Sequence, residues 1–343
     1  MAMSAQPLSA KRPTYSQDWP SYNAAQAAEK EMFPKLLADL CAELHTAIPK
    51  TGRPPLSLPD AVFAATLKVY STFSGRRFFK MDLRKAREQR LISRVPHYNT
   101  IFNILASDRF TPIFRALIER SALPLVDIER VFAIDSSGLK ATRLIHGRDK
   151  KTGEPTTDHD WVKCHIMCGV ETHIVTAIEI GAPRAYDGDF LSPLLKTTQR
   201  HFRVTEVSGD KAYCSKRNLE ILAAAGAKGF IAIPDGTTGK GGGMLKKSYD
   251  YRQAHPDEFF ERYHQRSNVE TVFSMLKRKF GKYLRSRTDT AMKNEALCKF
   301  LCHNIVVLIH VMHELGIDLE LFPRISENAP KLRIVSRRST NRP

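Results

Sequence analysis

The sequence is short of acidic residues. Only 36 Asp and Glu stand against 53 Lys and Arg, which leaves a formal net charge of +17 at pH 7. Such an excess favours a polyanionic partner, because Lys and Arg that meet phosphates release condensed counterions. A membrane surface is the rival polyanion, but the sequence shows no long amphipathic helix with a dedicated basic face. The charge therefore predicts a nucleic-acid partner and no membrane.

Long hydrophobic segments are also scarce. No apolar run approaches the length needed to span a bilayer, and the N-terminal stretch MAMSAQPLSAKRPTYSQDWP has no apolar core for export. We therefore expect a soluble protein of the cytoplasm. The sequence also has no internal repeat, which excludes solenoids and propellers.

The six cysteines do not form the pattern of a disulfide framework in a chain of 343 residues without an export signal. Two pairs have the spacing C-x3-C: Cys164 with Cys168, and Cys298 with Cys302. Structural zinc sites more often use C-x2-C pairs. Because one pair lies in a predicted strand and the other in an apolar helix, we expect all four thiols to be small core residues.

Residues 1–128 are predicted to form a helical region. Helical patterns occur in AAQAAEKEMFPKLLADLCAELHTA, LPDAVFAATLKVY, KMDLRKAREQRL and IFNILASD. Ser57 with Asp60 resembles a capping box, and Asn99 or Thr100 is the expected cap of the helix that follows. Short basic helices between residues 50 and 108 suit a helix-turn-helix-like DNA-binding unit, although any small helical bundle gives the same pattern.

Residues 129–315 show a different pattern, in which strands come first. The strands VFAIDSSGL, WVKCHIMCGVE and THIVTAIEIG precede an alternation of helices with the strands TEVSGDKAY and GFIAIP. This succession predicts a mixed α/β sheet of the ribonuclease H-like fold. The basic residues 316–343 are predicted to be a flexible tail.

Three carboxylates have positions that suit chemistry in such a fold. Asp135 ends the first strand, Asp210 follows a later strand, and Glu270 lies on the helix after the last strand. Because the first and fourth strands of this fold are neighbours, we expect the two aspartates to converge beside the helix. Crowded carboxylates repel one another, and two Mg²⁺ ions would relieve that repulsion. Such a pair of ions can clamp the attacking and leaving oxygens of a phosphoryl displacement.

An aspartate at a strand end is more often a turn or cap residue. Asp149, Asp187 and Asp189 compete with Asp210 for the second position. Asp189 is better explained as the cap of the next helix, whereas Asp210 follows an apolar strand. The chemical interpretation therefore depends on the combination of acids rather than on any one of them.

The stretch YHQRSNVETVFSMLK predicts one helix with a polar stripe beside its apolar face. At about 100° per residue, Tyr263, Arg266, Glu270 and Lys277 share a sector of roughly 60°. The adjoining face is predicted to be buried and consists of Val269, Val272, Phe273, Leu276 and Phe280. A salt-bridged surface helix would carry such charges opposite its apolar face. The stripe therefore indicates the wall of a site.

The pattern Y-x2-R-x3-E-x6-K resembles the signature of bacterial insertion-sequence transposases of the DDE class. DSSGLK around Asp135 is similar to the family's first-aspartate strand, and GDKAY around Asp210 to its second-aspartate motif. The resemblance implies that Asp135, Asp210 and Glu270 are catalytic acids that bind two divalent ions, Mg²⁺ with Mn²⁺ as a substitute. It also implies that Tyr263, Arg266 and Lys277 hold the DNA backbone.

The run KRKFGKYLRSR adds Arg278 and Lys279 to the predicted DNA contacts, because it carries six basic residues and no acid. The resemblance further implies a nucleoid-associated protein that acts as a homodimer on double-stranded DNA. The expected function is cleavage at the ends of its own element and transfer of the 3′-hydroxyl into target DNA. Two alternatives stay open: a nuclease of the same fold without strand transfer, and a DNA-binding protein without catalysis.

Overall fold

The computed structural model describes residues 18–45, 55–148, 155–237, 239–240 and 242–316. Residues 317–343 of the predicted tail, and Asp149 among the competing acids, lie outside these ranges. All the other candidate site residues lie within them.

Helices make up the first part of the chain, as the sequence predicts. They are α1 (Trp19–Ala42), α2 (Leu58–Ser71), α3 (Gly75–Phe78), α4 (Arg84–Glu88), α5 (Tyr98–Leu105) and α6 (Thr111–Ala122), with a π-helical turn at Phe79–Leu83. The hydroxyl of Ser57 accepts a hydrogen bond from the backbone N–H of Asp60 at 3.2 Å, which confirms the predicted cap of α2. The predicted cap of α5 was wrong, because the ring of His97 accepts the N–H of Asn99 instead.

A six-stranded mixed sheet forms the second part of the chain. Its strands are β1 (Val131–Arg148), β2 (Pro155–Gly169), β3 (Val175–Gly181), β4 (Glu206–Gly209), β5 (Lys228–Ile231) and β6 (Tyr283–Leu284). The order is β3-β2-β1-β4-β5, with the first three strands antiparallel and β4 and β5 parallel to β1. This topology confirms the predicted ribonuclease H-like fold.

The helices of the second part are α7 (Leu191–Thr198), α8 (Lys216–Ala224), α9 (Gly243–Ala254), α10 (Pro256–His264), α11 (Ser267–Phe280) and α12 (Asp289–Leu315). Asp189 does not cap α7 with its side chain, so that prediction was wrong; Asp187 to Phe190 form a 3₁₀ turn that leads into the helix. The segment before Tyr263 contains α9 and most of α10.

The central helix of the protein is α12, which packs against α1, α2, α6 and the sheet. Among the described residues it is the one helix long and apolar enough to cross a membrane, and 89% of its apolar stretch is buried inside the protein. The prediction that no apolar run approaches that length was therefore wrong. Scattered polar residues such as His303 and Asn304 break up the run in the sequence, but they find partners within the fold. The thiols of Cys298 and Cys302 are buried in this helix, as expected of core residues.

Asn304 joins α12 to the sheet and to α6. Its side chain is fully buried and exchanges hydrogen bonds with the backbone of Val175, accepting from the N–H at 2.9 Å and donating to the carbonyl at 2.7 Å. The same amide donates to the hydroxyl of Ser121 at 2.9 Å. One side chain therefore satisfies backbone groups of β3 that water cannot reach.

We expect Asn304→Ala to lower the free energy of unfolding by roughly 2–4 kcal/mol, because it leaves the buried N–H and C=O of Val175 without partners. Urea unfolding followed by circular dichroism measures the change. Asn103→Ala, at an exposed position of α5, is the matched control and should shift stability by no more than about 0.5 kcal/mol. Equal effects of the two substitutions would contradict the role assigned to Asn304.

Candidate active site

The parallel pairing of β1 and β4 brings the two predicted aspartates to the same place. Ile134 is in register with Gly209, so the next residues along the two strands, Asp135 and Asp210, lie side by side. A Cβ at Gly209 would come within 2.9 Å of the Ile134 side chain, so the absence of a side chain allows β4 to lie this close. The strand order therefore brings these acids together, as the sequence predicts.

Strand β1 continues through Asp135 to Arg148, so the prediction that Asp135 ends the first strand was wrong. Asp210 does follow the end of β4, and it caps the 3₁₀ turn Lys211–Tyr213. Asp135 accepts a hydrogen bond from the N–H of Ser136, and Asp210 accepts one from the N–H of Lys211, both at 2.7 Å. Each bond uses one oxygen of its carboxylate, so neither group is fully occupied. Of the two residues, Asp210 has the turn role that aspartates often play.

Helix α11 lies across β1 beside these acids. The ammonium of Lys277 donates a hydrogen bond to the hydroxyl of Ser137 at 2.9 Å, and Ser137 lies on the same face of β1 as Asp135. Glu270 is about two turns earlier on the helix. The predicted apolar face of the helix is buried as expected, from Val269 to Phe280.

The carboxylates of the site interact electrostatically. The pKa of Asp135 is raised to about 6, mainly by burial and also by the negative charges of Asp210 and Glu270. The hydrogen bond from Ser136 and the charge of Arg266 act in the opposite direction. Asp135 therefore interacts electrostatically with Asp210, with Glu270 and with Arg266 of the predicted stripe.

The stripe itself does not lie on one continuous helix, so that part of the prediction was wrong. Helix α10 ends at His264 and α11 begins at Ser267. The side chain of Asn268 donates to the carbonyl of Gln265 at 2.8 Å, which replaces a regular helical hydrogen bond with a local one. The apolar periodicity continues across this break, and the sequence pattern therefore does not reveal it.

Tyr263, Arg266 and Glu270 nevertheless form one connected group. The guanidinium of Arg266 donates to the hydroxyl of Tyr263 at 2.9 Å and to the carboxylate of Glu270 at 2.7 Å. The Glu270 side chain is 56% exposed, so this ion pair lies largely in solvent. The phenol orients the arginine, and the arginine in turn holds the glutamate.

The basic residues after Lys277 differ in their surroundings. Arg278 is exposed on α11. Lys279 instead forms an ion pair with Glu29 of α1, whose buried carboxylate also accepts the hydroxyl of Tyr70 at 2.7 Å. The DNA contact predicted for Lys279 stays a prediction, and the fold gives its ammonium an internal partner.

The donor set suits a hard divalent cation, because carboxylate oxygens are the ligands that Mg²⁺ prefers. Within the described ranges, however, no three His, Cys, Asp or Glu side chains are positioned to hold a metal ion. The carboxylate of Glu270 is bonded to Arg266. Burial is the main cause of the raised pKa of Asp135, and the negative charges of Asp210 and Glu270, which a divalent ion would offset, act in the same direction.

Beneath the aspartates lies Tyr213, which the sequence reasoning did not single out. Its ring is fully buried, its hydroxyl has no hydrogen-bond partner among the described residues, and burial raises its pKa. The charges of Asp135, Asp187 and Asp210 raise the pKa further. Asp187, a competitor for the second acidic position, forms an ion pair with Lys163. The one sequence signal for Tyr213 as a residue of this site is its position in the GDKAY segment that contains Asp210.

A ribonuclease H-like sheet with acids on its neighbouring inner strands β1 and β4 is typical of one class of protein, the polynucleotidyl transferases and nucleases. Residues 127–305, more than half of the chain, match the family model described as the transposase DDE domain. The chain therefore belongs to this family. No curated protein matches the sequence.

Among solved structures, the fold is similar to that in a cryo-EM structure of the piggyBac transposase synaptic complex with hairpin DNA. The TM-score is 0.45 and the sequence identity 13%, over 85% of this chain and 78% of the other.

We expect Asp135→Asn to raise the free energy of unfolding by roughly 1–3 kcal/mol at pH 7 in the presence of EDTA. The folded protein keeps the Asp135 proton up to about pH 6, whereas the ordinary value is 3.8, so ionisation at neutral pH destabilises the fold. The difference in free energy of unfolding between Asp135→Asn and the wild type should shrink as the pH falls from about 6 and vanish below about 4. Urea unfolding at several pH values measures it.

Asp127→Asn, at an exposed position just before β1, is the matched control for that series. A gain at Asp135 that does not depend on pH, or a loss of stability at pH 7, would show that its carboxylate is not held under electrostatic strain.

Proposed function

We propose that this protein is a bacterial insertion-sequence transposase that cleaves DNA at the ends of its own element and joins the freed 3′-hydroxyl to target DNA. The observation that carries this proposal is the register of β1 with β4, which sets Asp135 beside Asp210, with Lys277 of α11 hydrogen-bonded to the same strand β1. Membership of the transposase DDE domain family supports it.

The acids have distinct places in the proposed site. Asp135 and Asp210 lie on neighbouring strands and would hold two Mg²⁺ ions, for which Mn²⁺ may be exchanged, with Glu270 as the ligand supplied by α11. When bound, the ions supply positive charge that offsets the charge on the attacking and leaving oxygens. For Glu270 to join the aspartates, it must leave its ion pair with Arg266.

The basic side chains would bind the DNA backbone around the cleavage position. Arg266 carries a planar fork suited to a phosphate, and Tyr263 orients it. Lys277 adds a compact charge over β1, and the exposed Arg278 extends the basic surface along α11. An arginine that exchanges a carboxylate for a phosphate would release Glu270 as DNA arrives.

In the proposed reaction, water first attacks the phosphodiester at the end of the element and frees a 3′-hydroxyl. That hydroxyl then attacks a target phosphodiester and displaces the 3′-oxygen of the adjoining target nucleotide. The double-stranded DNA partner comprises both element ends and target, and a homodimer on DNA would pair the ends. We place this activity in the bacterial cytoplasm, at the nucleoid.

We expect the purified protein to cut a supercoiled plasmid that carries its gene and flanking genomic DNA, at two defined positions and only with Mg²⁺ or Mn²⁺. Glu270→Gln should reduce cleavage by about a thousandfold or more, because it removes a charged ligand and keeps the shape of the side chain. Sequencing of the cut ends maps the element. Glu261→Gln, at an exposed position of α10, is the matched control and should cut normally.

The same experiment separates the alternatives. Cuts without any joined product on a second plasmid would identify a nuclease rather than a transposase. Binding of the flanking DNA by wild type and Glu270→Gln alike, with no cuts by either, would leave a DNA-binding protein without catalysis.

A second prediction concerns the arginine that holds Glu270. We expect Arg266→Met to bind Mn²⁺ about three- to tenfold more tightly, because it releases Glu270 and removes a cation near Asp135. The same variant should bind DNA about tenfold more weakly, since a charge-assisted contact is lost. Electron paramagnetic resonance of free Mn²⁺ and fluorescence anisotropy of labelled DNA measure the two effects.

Arg278→Met removes the same charge from an exposed position of α11 and is the control for Mn²⁺ binding alone, because Arg278 is itself a predicted DNA contact. If both variants bind Mn²⁺ alike, the ion pair does not limit access of Glu270 to the site.

A further inference from the structure

A cavity of about 110 Å³ lies where the helical region meets the second part of the chain. Its walls come from α2, α5, the end of α11, the segment that joins β6 to α12, and α12 itself, and they include Lys68, Arg285, Glu295 and Lys299. We propose that this cavity binds a phosphate of the DNA backbone, at a place separate from Asp135, Asp210 and Glu270. The proposal deepens the proposed function by adding a second point of contact with DNA.

Lys68 gives the first reason. The residue is only 9% exposed, and its ammonium has no hydrogen bond or ion pair with any described residue. Burial lowers its pKa, as does the nearby charge of Arg285, whereas the charge of Glu295 raises it. The C-terminal dipole of α2 attracts a cation at this position but provides no acceptor to it. Because no described residue accepts a hydrogen bond from this largely buried side chain, an anion in the cavity would supply the missing acceptor.

The balance of charge in the cavity gives the second reason. The carboxylate of Glu295 is bound by the backbone N–H groups of Arg285 at 2.9 Å and Ser286 at 2.7 Å, which fixes it in the wall. Three cationic side chains therefore share one carboxylate. Such an excess of positive charge selects an anion.

The remaining hydrogen-bond donors suit an anion rich in oxygen. Lys299 is 2% exposed and uses two of its three donors on the carbonyls of Gly281 at 2.9 Å and Tyr283 at 3.0 Å. Arg285 donates to the carbonyl of Thr72 with one nitrogen and keeps its other donors. With the three donors of Lys68, the cavity offers more N–H groups than its own acceptors use. Phosphate, with several acceptor oxygens, matches that surplus.

The surroundings point to DNA as the source of the phosphate. Phe102 lines the cavity and is 45% exposed, so it can contact a sugar or a base next to the bound group. The segment from Gly281 to Arg287 carries exposed Lys282, Arg285 and Arg287 and no acid. Phe280, the last residue of α11, also lines the cavity. The cavity therefore lies about 15 Å along that helix from Glu270. A duplex bound at the carboxylates can therefore reach the cavity with a phosphate further along its backbone.

The test uses Lys68→Met, which keeps the length of the side chain and removes its charge. A fluorescent DNA duplex is titrated with the full chain in EDTA at several salt concentrations, so that neither metal nor cleavage is involved. We expect affinity to fall about five- to twentyfold, equally for unrelated sequences, and the salt slope to fall by about one. The melting temperature without DNA should stay the same or rise, because an unpaired buried charge is removed.

Lys196→Met, at an exposed position of α7, changes the net charge identically and is the matched control. If Lys68→Met and Lys196→Met have the same affinity and salt slope, the proposal is wrong. A marked fall in the melting temperature of Lys68→Met would also overturn it, because the ammonium would then have a structural role.

Inorganic phosphate is the second probe. If it raises the melting temperature of the wild type but not of Lys68→Met, while both bind DNA equally, the cavity takes free phosphate and the DNA assignment is overturned. The experiment is independent of catalysis, because Lys68→Met should weaken DNA binding by the same factor in Glu270→Gln as in the wild type. If the wild type does not cleave DNA but Lys68→Met still weakens its DNA binding, only the proposed chemistry is refuted.

Discussion

The parallel pairing of β1 with β4 is the constraint on which the site depends. It sets Asp135 beside Asp210 at a half-buried position where β4 ends, and there like charges interact more strongly than they do in water. That arrangement works against stability, and the neighbouring cations reduce its cost. Arg266 lowers the pKa of Asp135, and Lys277 reaches the same face of β1. These two cations thus reduce the electrostatic cost in the folded protein itself, before any ligand binds.

The position of α11 is in turn fixed by the helical region. Its apolar face is buried, and Lys279 near its end is tied to Glu29 of α1, which also accepts the hydroxyl of Tyr70 of α2. Since α12 packs against α1, α2 and the sheet together, the helical region and the sheet share one core. A displacement of the N-terminal helices would therefore move the helix that carries Glu270.

The sequence was sufficient for features that depend on local pattern and strand order. The convergence of Asp135 with Asp210, the buried face from Val269 to Phe280 and the Ser57 cap all follow from such rules. The break before Ser267 was not predictable, because it depends on a side chain, Asn268, competing for a backbone carbonyl. The surroundings of Lys68 were not predictable either, because its neighbours Arg285 and Lys299 are more than 200 residues away in the chain.

The break between α10 and α11 has a consequence for the chemistry. The backbone of Arg266 lies in a turn between two helices, where its N–H donates to the carbonyl of Tyr263 and its carbonyl accepts the N–H of Val269, in place of the longer-range bonds of a continuous helix. A turn can change its backbone angles more easily than the interior of a helix. Glu270, in the first turn of α11, stays anchored by the buried Val269 beside it. An exchange of Arg266 from carboxylate to phosphate can therefore occur by movement of the arginine, and it would free Glu270 to join the aspartates.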